Sequence, residues 1–346
     1  MMKNKRFFNL ILIRLFLTLF VSCFTISSAK TSENPTKYDT LTFIQLTDPH
    51  FCNLIGYDPF FVQKRRPVEN NAELLTEFLK VIPEKYNCDF VVITGDNIDY
   101  YEAQTAKGGM LGTQIEQYAQ LLDISEVPVF LTLGNHDISS YFVNPDLTGK
   151  TKQYHAERAR AAWIRNVPCF KDGTYYSRIM KIDTTTFRFI FLDNGYTPTK
   201  EVSDGILPFT IDQSQLLWLN DQLMTSTSDV EIIFMHIPLP FEKLSEKSIL
   251  TKPISTYSSK SRNFNLLNII EKNSSTRLII AGHKHLNNIN NYRLPDGSNL
   301  TQVVSGGIFG SVPDRCWRMV KVTNNEIIIY FPGSSKTEYI IPLAKK

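Results

Sequence analysis

The chain has only six histidines, no cysteines in a CxxC spacing and no large excess of charge of either sign. Its 37 basic and 34 acidic residues give a formal net charge of +3, which provides no electrostatic case for a nucleic-acid partner. Without a CxxC pair, a zinc site built from thiolates is not indicated. Internal repeats and long low-complexity linkers are also absent, so we expect a single domain over residues 41–346.

The first thirty residues contain no apolar run of the ~20 residues that a membrane-spanning helix needs. They begin with basic residues, continue through an apolar stretch and end in small residues, which is the order of a secretory signal peptide. We therefore expect a signal peptide at 1–29, cleaved after Ala29, a linker at 30–40 and an exported mature protein. The alternatives are an uncleaved signal and lipid attachment at Cys23, and membrane contact is expected only in those two cases.

Four cysteines remain after such a cleavage, an even number in a compartment that would be oxidising. Disulfides are therefore compatible with the sequence. Four cysteines allow three pairings, and the sequence does not choose among them for Cys52, Cys88, Cys169 and Cys316.

Short runs rich in β-branched and aromatic residues alternate with amphipathic stretches from Leu41 onward. Helices are predicted at 68–82, ended by Pro83, and at 211–223, with Asp212 as N-cap. Further strands are predicted in 173–194, as a pair, and in the tail from 302, as antiparallel strands. Alternating strands and helices with added antiparallel segments predict an α/β fold with two packed mixed β-sheets flanked by helices. The five runs that define the central strands are "TFIQLTD", "DFVVITGD", "VPVFLTLGNHD", "VEIIFMH" and "TRLIIAGH".

Each of these five strands ends in polar residues that a buried strand would not need. In open α/β sheets, ligands bind at the carboxyl ends of strands, so these residues are expected to converge on one crevice. Imidazole and carboxylate are ligands for divalent zinc, manganese and iron, and five of the six histidines occupy such positions. The residues in question are Asp48, His50, Asp96, Asn97, Asp99, Asn135, His136, Asp137, His236, His283 and His285.

The last of these strands presents two histidines with Lys284 between them. Two residues along an extended strand advance ~6.6 Å, and paired metals in hydrolytic sites lie ~3.5–4 Å apart. We expect the rings of His283 and His285 to lean inward and bind one metal each. Taken alone, an HxH motif would favour two surface histidines in a turn.

In order, the chain contains DxH, GDxxD, GNHD, an isolated histidine after an apolar run, and GHxH. This set resembles the calcineurin-like metallophosphoesterases, over about residues 41–290, with a β-rich segment at 300–343 beyond it. The resemblance implies a four-layer sandwich, two divalent transition-metal ions (Mn, Fe or Zn) and hydrolysis of phosphate esters. A metallo-β-lactamase-type hydrolase would need an HxHxDH cluster, and the chain has none.

The resemblance also implies a role for each matching residue. One metal would be bound by Asp48, His50, Asp96 and His285, and the other by Asp96, Asn135, His236 and His283. A hydroxide bridging the metals would attack phosphorus, and His136 would protonate the leaving oxygen. Asp99 and Asp137 would orient histidines, although Asp137 equally fits a cap on the following turn.

The substrate is expected to be a phosphorylated small molecule or a phosphodiester. We favour a diester because no basic cluster lies within the five motifs; the alternatives are a phosphomonoesterase and a catalytically silent metal-binding module. Arg65 and Arg66 could reach a phosphate, but a solvated basic loop is the preferred interpretation. Two segments, 100–112 and 238–264, are expected to form the rim of the site, with Tyr100, Tyr101 and Phe241 bordering the leaving group.

Overall fold

A computed structural model of the protein describes residues 37–195, 211–239, 262–308 and 316–343. Helices in these residues are α1 Pro59–Arg65, α2 Asn71–Lys85, α3 Gln114–Leu122, α4 Ala156–Asn166, α5 Gln213–Met224 and α6 Arg262–Glu271. The strands are β1 Lys37–Tyr38, β2 Leu41–Leu46, β3 Phe90–Thr94, β4 Glu102–Gln104, β5 Met110–Leu111, β6 Val129–Thr132, β7 Ser140–Val143, β8 Gly149–Lys152, β9 Tyr176–Ile182, β10 Thr185–Phe191, β11 Val230–Phe234, β12 Thr276–Ala281, β13 Asn288–Arg293, β14 Asn299–Val304, β15 Trp317–Val322, β16 Glu326–Tyr330 and β17 Thr337–Pro342.

Two large sheets contain the predicted strands. The first has the order β1-β9-β10-β11-β12-β14-β13 and is parallel from β10 to β14. The second has the order β17-β16-β15-β2-β3-β6 and is parallel from β2 to β6. Antiparallel strands lie on both sides of the parallel centre in the first sheet and on the β2 side in the second. The predicted mixed-sheet α/β fold is confirmed.

The two sheets pack face to face through aromatic side chains. The ring of Phe43 on β2 lies 5.6 Å from that of Phe234 on β11 and 6.2 Å from that of Phe189 on β10. On the other face of the first sheet, buried residues of α5 and α6, such as Leu219 and Ile270, pack in one cluster with Ile233 of β11. This burial orients the strands so that the ends of β2, β3, β6, β11 and β12 meet at one edge.

A third, smaller sheet has the order β5-β4-β7-β8. Two of its strands, β4 and β5, lie in segment 100–112, for which the sequence analysis gave no strand. Its strands are two to four residues long, too short to show an alternating pattern in the sequence.

Other local predictions have mixed outcomes. The side chain of Asp212 accepts a hydrogen bond from the Gln215 amide, as predicted for an N-cap. The prediction that Pro83 ends its helix is wrong, because α2 continues to Lys85 and the Tyr86 amide still donates to the Ile82 carbonyl.

The β9–β10 pair is antiparallel as predicted, and β15 and β16 form the predicted antiparallel pair. In contrast, β14 runs parallel to β12, so the prediction of an entirely antiparallel tail is wrong. Lys37–Tyr38, at the end of the predicted linker, pairs with β9. The predicted signal peptide lies outside the described residues.

The four cysteines among the described residues form no disulfide. Cys52, Cys88 and Cys316 are buried, and burial raises the pKa of the Cys88 thiol to about 12. A thiol that remains protonated is a poor nucleophile. These side chains therefore behave as small core residues.

Candidate metal centre

The polar residues that follow the five strands converge, as the sequence predicts. Residues after β2, β3 and β6 of one sheet face residues after β11 and β12 of the other. Three groups have ligand atoms within 4.8 Å of one another: Asp48, His50 and His285; Asp96, His236 and His283; and His50, Asp96 and His136. The site is therefore assembled from both sheets.

His236 lies at the centre of one half of the site. Its Nδ1 is 2.8 Å from the carbonyl oxygen of Thr94, and because a carbonyl only accepts, Nδ1 carries the hydrogen. In the neutral ring, Nε2 then presents a lone pair at 3.2 Å from Asp96 Oδ2, Asn135 Oδ1 and His283 Nδ1. Such a meeting of acceptor atoms is stable around a cation, so this set fits a divalent metal.

The electrostatics of this half favour positive charge between the residues. Burial alone would raise the pKa of Asp96, but the neighbouring histidines, His236 foremost, hold it well below its ordinary value. Burial opposes a charged His236, yet the carboxylates of Asp96 and Asp48 raise its pKa to about 9. Burial, followed by the charge of His236, lowers the pKa of His283 to about 3, which keeps that ring neutral as a ligand must be.

The other half of the site is built on Asp48. Its Oδ1 lies 3.0 Å from His285 Nε2 and 4.0 Å from His50 Nε2. His50 Nε2 is also 3.8 Å from Asp96 Oδ2, the same oxygen that faces His236. One carboxylate oxygen thus lies between the two halves, where a bridging ligand would be placed. The seven residues predicted to bind metal are all brought together here.

The backbone of this site is unusual. Positive φ angles occur at five of the seven predicted ligands: Asp48 (50°), His50 (43°), Asp96 (48°), His283 (69°) and His285 (50°). Left-handed backbone at residues with a Cβ costs about 1–3 kcal/mol each and persists only where the surroundings impose it. The predicted extended geometry for the two histidines after β12 is wrong, since the strand ends at Ala281 and a turn follows.

Glycines permit the close approach of the loops. A Cβ at Gly134 would overlap Asp96 Oδ1 and its backbone nitrogen, and one at Gly282 would lie 2.6 Å from Asp48 Oδ2. Gly307, which sequence reasoning did not identify, plays the same part, with a Cβ position 2.6 Å from Asp48 Cβ. The ligand loops can therefore touch only where no side chain intervenes.

Asp99 lies immediately behind two histidines. Its Oδ1 is 3.5 Å from His50 Nδ1, and its backbone carbonyl accepts a hydrogen bond of 2.5 Å from His136 Nδ1. Burial would raise the pKa of Asp99, but the bond to His50 and the charge of Arg65 hold it below the ordinary value. Asp99 therefore lies beside both histidine rings, and its orienting role stays a prediction.

Asp137 has different contacts from those expected. Its carboxylate accepts hydrogen bonds from the backbone amides of Gly134 (2.7 Å) and Ile98 (3.0 Å) and from Asn97 Nδ2 (2.9 Å). Burial, and then the nearby charge of Asp96, raise the pKa of Asp137 to about 7. Asp137 therefore ties two ligand loops together, and these contacts are neither the histidine contact nor the cap on the following turn that we expected.

Two residues that support the site were not identified as such from the sequence. Arg65, interpreted as part of a solvated loop, has a side chain only 18% exposed that pairs with Asp99. Asn194, three residues after β10, accepts hydrogen bonds from the amides of His236 and Ile237 and so fixes the loop after β11. The signal for Asn194 was the polar pair Asp193 and Asn194 shortly after an apolar strand.

Of the three residues expected at the rim, Tyr100 differs from the prediction. Tyr100 is buried, with its ring 4.7 Å from that of His136, so it supports the site from behind. Tyr101 is half-buried, and Phe241 lies outside the described residues. A cavity of about 170 Å³ opens at the site and is lined by His50, Arg65, Asp96, Asn135, His136, His283 and His285.

Every helix in the part of the chain that the structure describes is too short or too polar to span a bilayer.

Comparisons with known proteins agree with this geometry. The sequence matches the calcineurin-like phosphoesterase family over residues 41–287, and no curated protein gave a significant match. A dimetal phosphatase from Danio rerio has a similar structure, with a TM-score of 0.55 at 16% identity, covering 88% of this chain and 99% of that one. The structure of PhoD is also similar, with a TM-score of 0.53 at 14% identity, covering 89% and 69%.

At these identities the structural similarity shows a shared fold alone, whereas the family match shows which family the chain belongs to. It spans most of the chain, including all five motifs and every predicted metal ligand. The protein therefore belongs to the calcineurin-like phosphoesterase family, hydrolases that act on phosphoric ester bonds.

Proposed function

We propose that this protein hydrolyses phosphodiesters with two divalent transition-metal ions, Mn, Fe or Zn, at the centre described above. The observation that carries the proposal is the position of Asp96 Oδ2, 3.2 Å from His236 Nε2 and 3.8 Å from His50 Nε2. Two clusters of ligand atoms sharing one carboxylate fit a pair of metal ions. Asp48, His50, Asp96 and His285 would hold one ion, and Asp96, Asn135, His236 and His283 the other.

Two such ions supply Lewis acidity and a nucleophile derived from water at neutral pH. The chain itself supplies the proton for the leaving oxygen. His136 lines the cavity, and its Nδ1 hydrogen is held by the Asp99 carbonyl, so proton donation falls to Nε2. After donation the ring is left as the neutral tautomer that this carbonyl already stabilises.

The charge balance of the cavity supports a diester over a monoester. Arg65 is a cation in the cavity lining, but it forms a two-point ion pair with Asp99, so its charge is already balanced. A diester carries one negative charge at the phosphoryl group and a monoester carries two near neutral pH. The smaller charge needs less compensation from the site.

The first test is a metal and substrate analysis of the purified protein. We expect two transition-metal ions per chain by mass spectrometry and faster turnover of bis(p-nitrophenyl) phosphate than of p-nitrophenyl phosphate. Chelation should abolish the activity, and Mn²⁺ or Zn²⁺ should restore it. Faster monoester turnover would assign a phosphomonoesterase, and metal binding without turnover of any ester would assign a silent binding module.

We also propose that the protein is exported. The order of basic, apolar and small residues in 1–29 supports this. N-terminal sequencing of the protein from a fractionated host is expected to begin at Lys30. A chain that starts at Met1 would contradict cleavage, and one that starts at a lipidated Cys23 would identify a lipoprotein.

A further inference from the structure

Arg65 is the last residue of α1 and belongs to none of the five motifs. Its Nε donates to Asp99 Oδ2 at 2.7 Å, and its Nη2 donates to Asp99 Oδ1. The planar guanidinium matches both carboxylate oxygens at once, which fixes the plane of the carboxylate as well as its position. Asp99 is fully buried, so this pairing also satisfies a charge that water cannot reach.

Asp99 passes this constraint to two histidines with different tasks. Its Oδ1 lies 3.5 Å from Nδ1 of His50, a predicted metal ligand. Its backbone carbonyl holds Nδ1 of His136, the proposed proton donor, at 2.5 Å. Rotation of the Asp99 side chain would therefore disturb His50, and a shift of its backbone would disturb His136.

A second route links Arg65 to His136 through Tyr100. The guanidinium carbon of Arg65 lies 5.7 Å from the centre of the Tyr100 ring, and that ring lies 4.7 Å from the imidazole of His136. Tyr100 is only 8% exposed. The three side chains thus lie in series beside the cavity.

The small third sheet holds α1 in place. Phe61 of α1 packs against Tyr100, Tyr141 of β7 and Tyr57, with ring centres 6.0, 4.9 and 5.2 Å away. The Asp58 amide, at the start of α1, donates to the carbonyl of Gln104 on β4. These contacts explain why the third sheet lies beside the metal centre, since they fix the helix that presents Arg65.

We propose that Arg65 is a positioning residue, which acts through Asp99 to orient His50 toward the metal and His136 toward the leaving group. The inference rests on the proposed function for the His136 part, whereas the His50 part concerns metal affinity alone. It differs from a direct role in binding phosphate, which the position of Arg65 in the cavity lining would also allow.

The test uses the full chain carrying Arg65→Gln, Arg65→Lys or, as matched control, Arg66→Gln at the exposed neighbour. Three quantities are measured: Mn²⁺ affinity of the metal-depleted protein, inhibition by inorganic phosphate, and kcat and KM for alkyl and p-nitrophenyl diesters. We expect Arg65→Gln to weaken Mn²⁺ binding about 10–100-fold, as loss of groups behind metal ligands commonly does. Its kcat should fall more for the alkyl ester than for the aryl ester, with KM and phosphate inhibition nearly unchanged.

Arg65→Lys keeps the charge without the two-point contact and should give intermediate values. The double variant Asp99→Asn with Arg65→Gln should bind Mn²⁺ no more weakly than Asp99→Asn alone, because residues that act through one another are not additive. Arg66→Gln should match the wild type in every measurement.

Three results would overturn the proposal. They are Mn²⁺ affinity of Arg65→Gln equal to that of the control, additive effects in the double variant, or weaker phosphate inhibition with metal affinity intact, which would indicate direct phosphate binding. Should Arg65→Gln fail to fold, the comparison of Arg65→Lys with the control decides. Should the wild type hydrolyse no ester, the proposed function fails, and the Mn²⁺ measurement still decides the effect on His50.

Discussion

Asp96→Asn is expected to leave the purified protein without a stable pair of metal ions and to lower phosphoesterase activity by a factor on the order of 10³ or more, equivalent to several kcal/mol of transition-state stabilisation. The two side chains have the same shape, but their chemistry differs. Asp96 Oδ1 accepts a hydrogen bond of 2.8 Å from the His136 amide, while Oδ2 faces His236 and His50. In Asp96→Asn, an amide nitrogen in place of Oδ1 would face the His136 amide, which is also a donor. An amide nitrogen in place of Oδ2 would point at the metals.

The measurement is metal content by mass spectrometry together with diester turnover. Asp172→Asn, at an exposed carboxylate, is the matched control and should retain both metals and full activity. Two tightly bound ions in Asp96→Asn would show that Asp96 is not the shared ligand.

His136→Ala should slow the hydrolysis of alkyl esters by about 10²–10⁴-fold, the usual contribution of a positioned general acid. An alkoxide must be protonated as it leaves, whereas p-nitrophenolate needs little protonation, so the loss should shrink as the leaving group becomes more acidic. Metal content should remain at the wild-type value, since the ring is held by the Asp99 carbonyl and lies beside the predicted ligands. The measurement is a series of diesters that differ in the pKa of the leaving group.

His155→Ala is the matched control. His155 precedes α4, pairs with Glu102 of β4 and lies outside the cavity lining. It should follow the wild-type dependence on leaving group. Equal losses for all esters in His136→Ala, or a loss of metal, would contradict the assignment of His136 as acid.

The sequence predicted the central sheets and the convergence of the site for one physical reason. Long apolar runs that end abruptly in Asp, Asn or His indicate both a buried strand and the point where that strand leaves the core. The third sheet was not predicted because strands such as Met110–Leu111 are too short to show the alternating pattern of a strand. Arg65 was not predicted because its partner, Asp99, is 34 residues away and only the folded chain joins them.

The conformation of the ligand loops was also beyond sequence reasoning. Asp48, Asp96 and His283 have positive φ angles, which Asp and His adopt more readily than most residues but still in only a small minority of cases, so residue type alone did not indicate them. The surrounding contacts impose these angles, such as the bond of 2.9 Å from the His283 amide to Asp48 Oδ2. Residue type therefore indicated which groups bind metal, while their backbone geometry depended on the tertiary structure.

Because one sheet contributes Asp48 and the other contributes His285, an ion bound between them would act as a cross-link. The two residues are 237 positions apart in the chain, so the link would close a very long loop, as a disulfide does in many exported proteins. The described cysteines provide no such link. Unlike a disulfide, this metal cross-link would stabilise the fold by an amount that depends on the concentration of the free ion. An ion at a hundred times its Kd adds about 2.7 kcal/mol to the free energy of unfolding. The stability of the two packed sheets would thus rise and fall with the metal concentration around the protein.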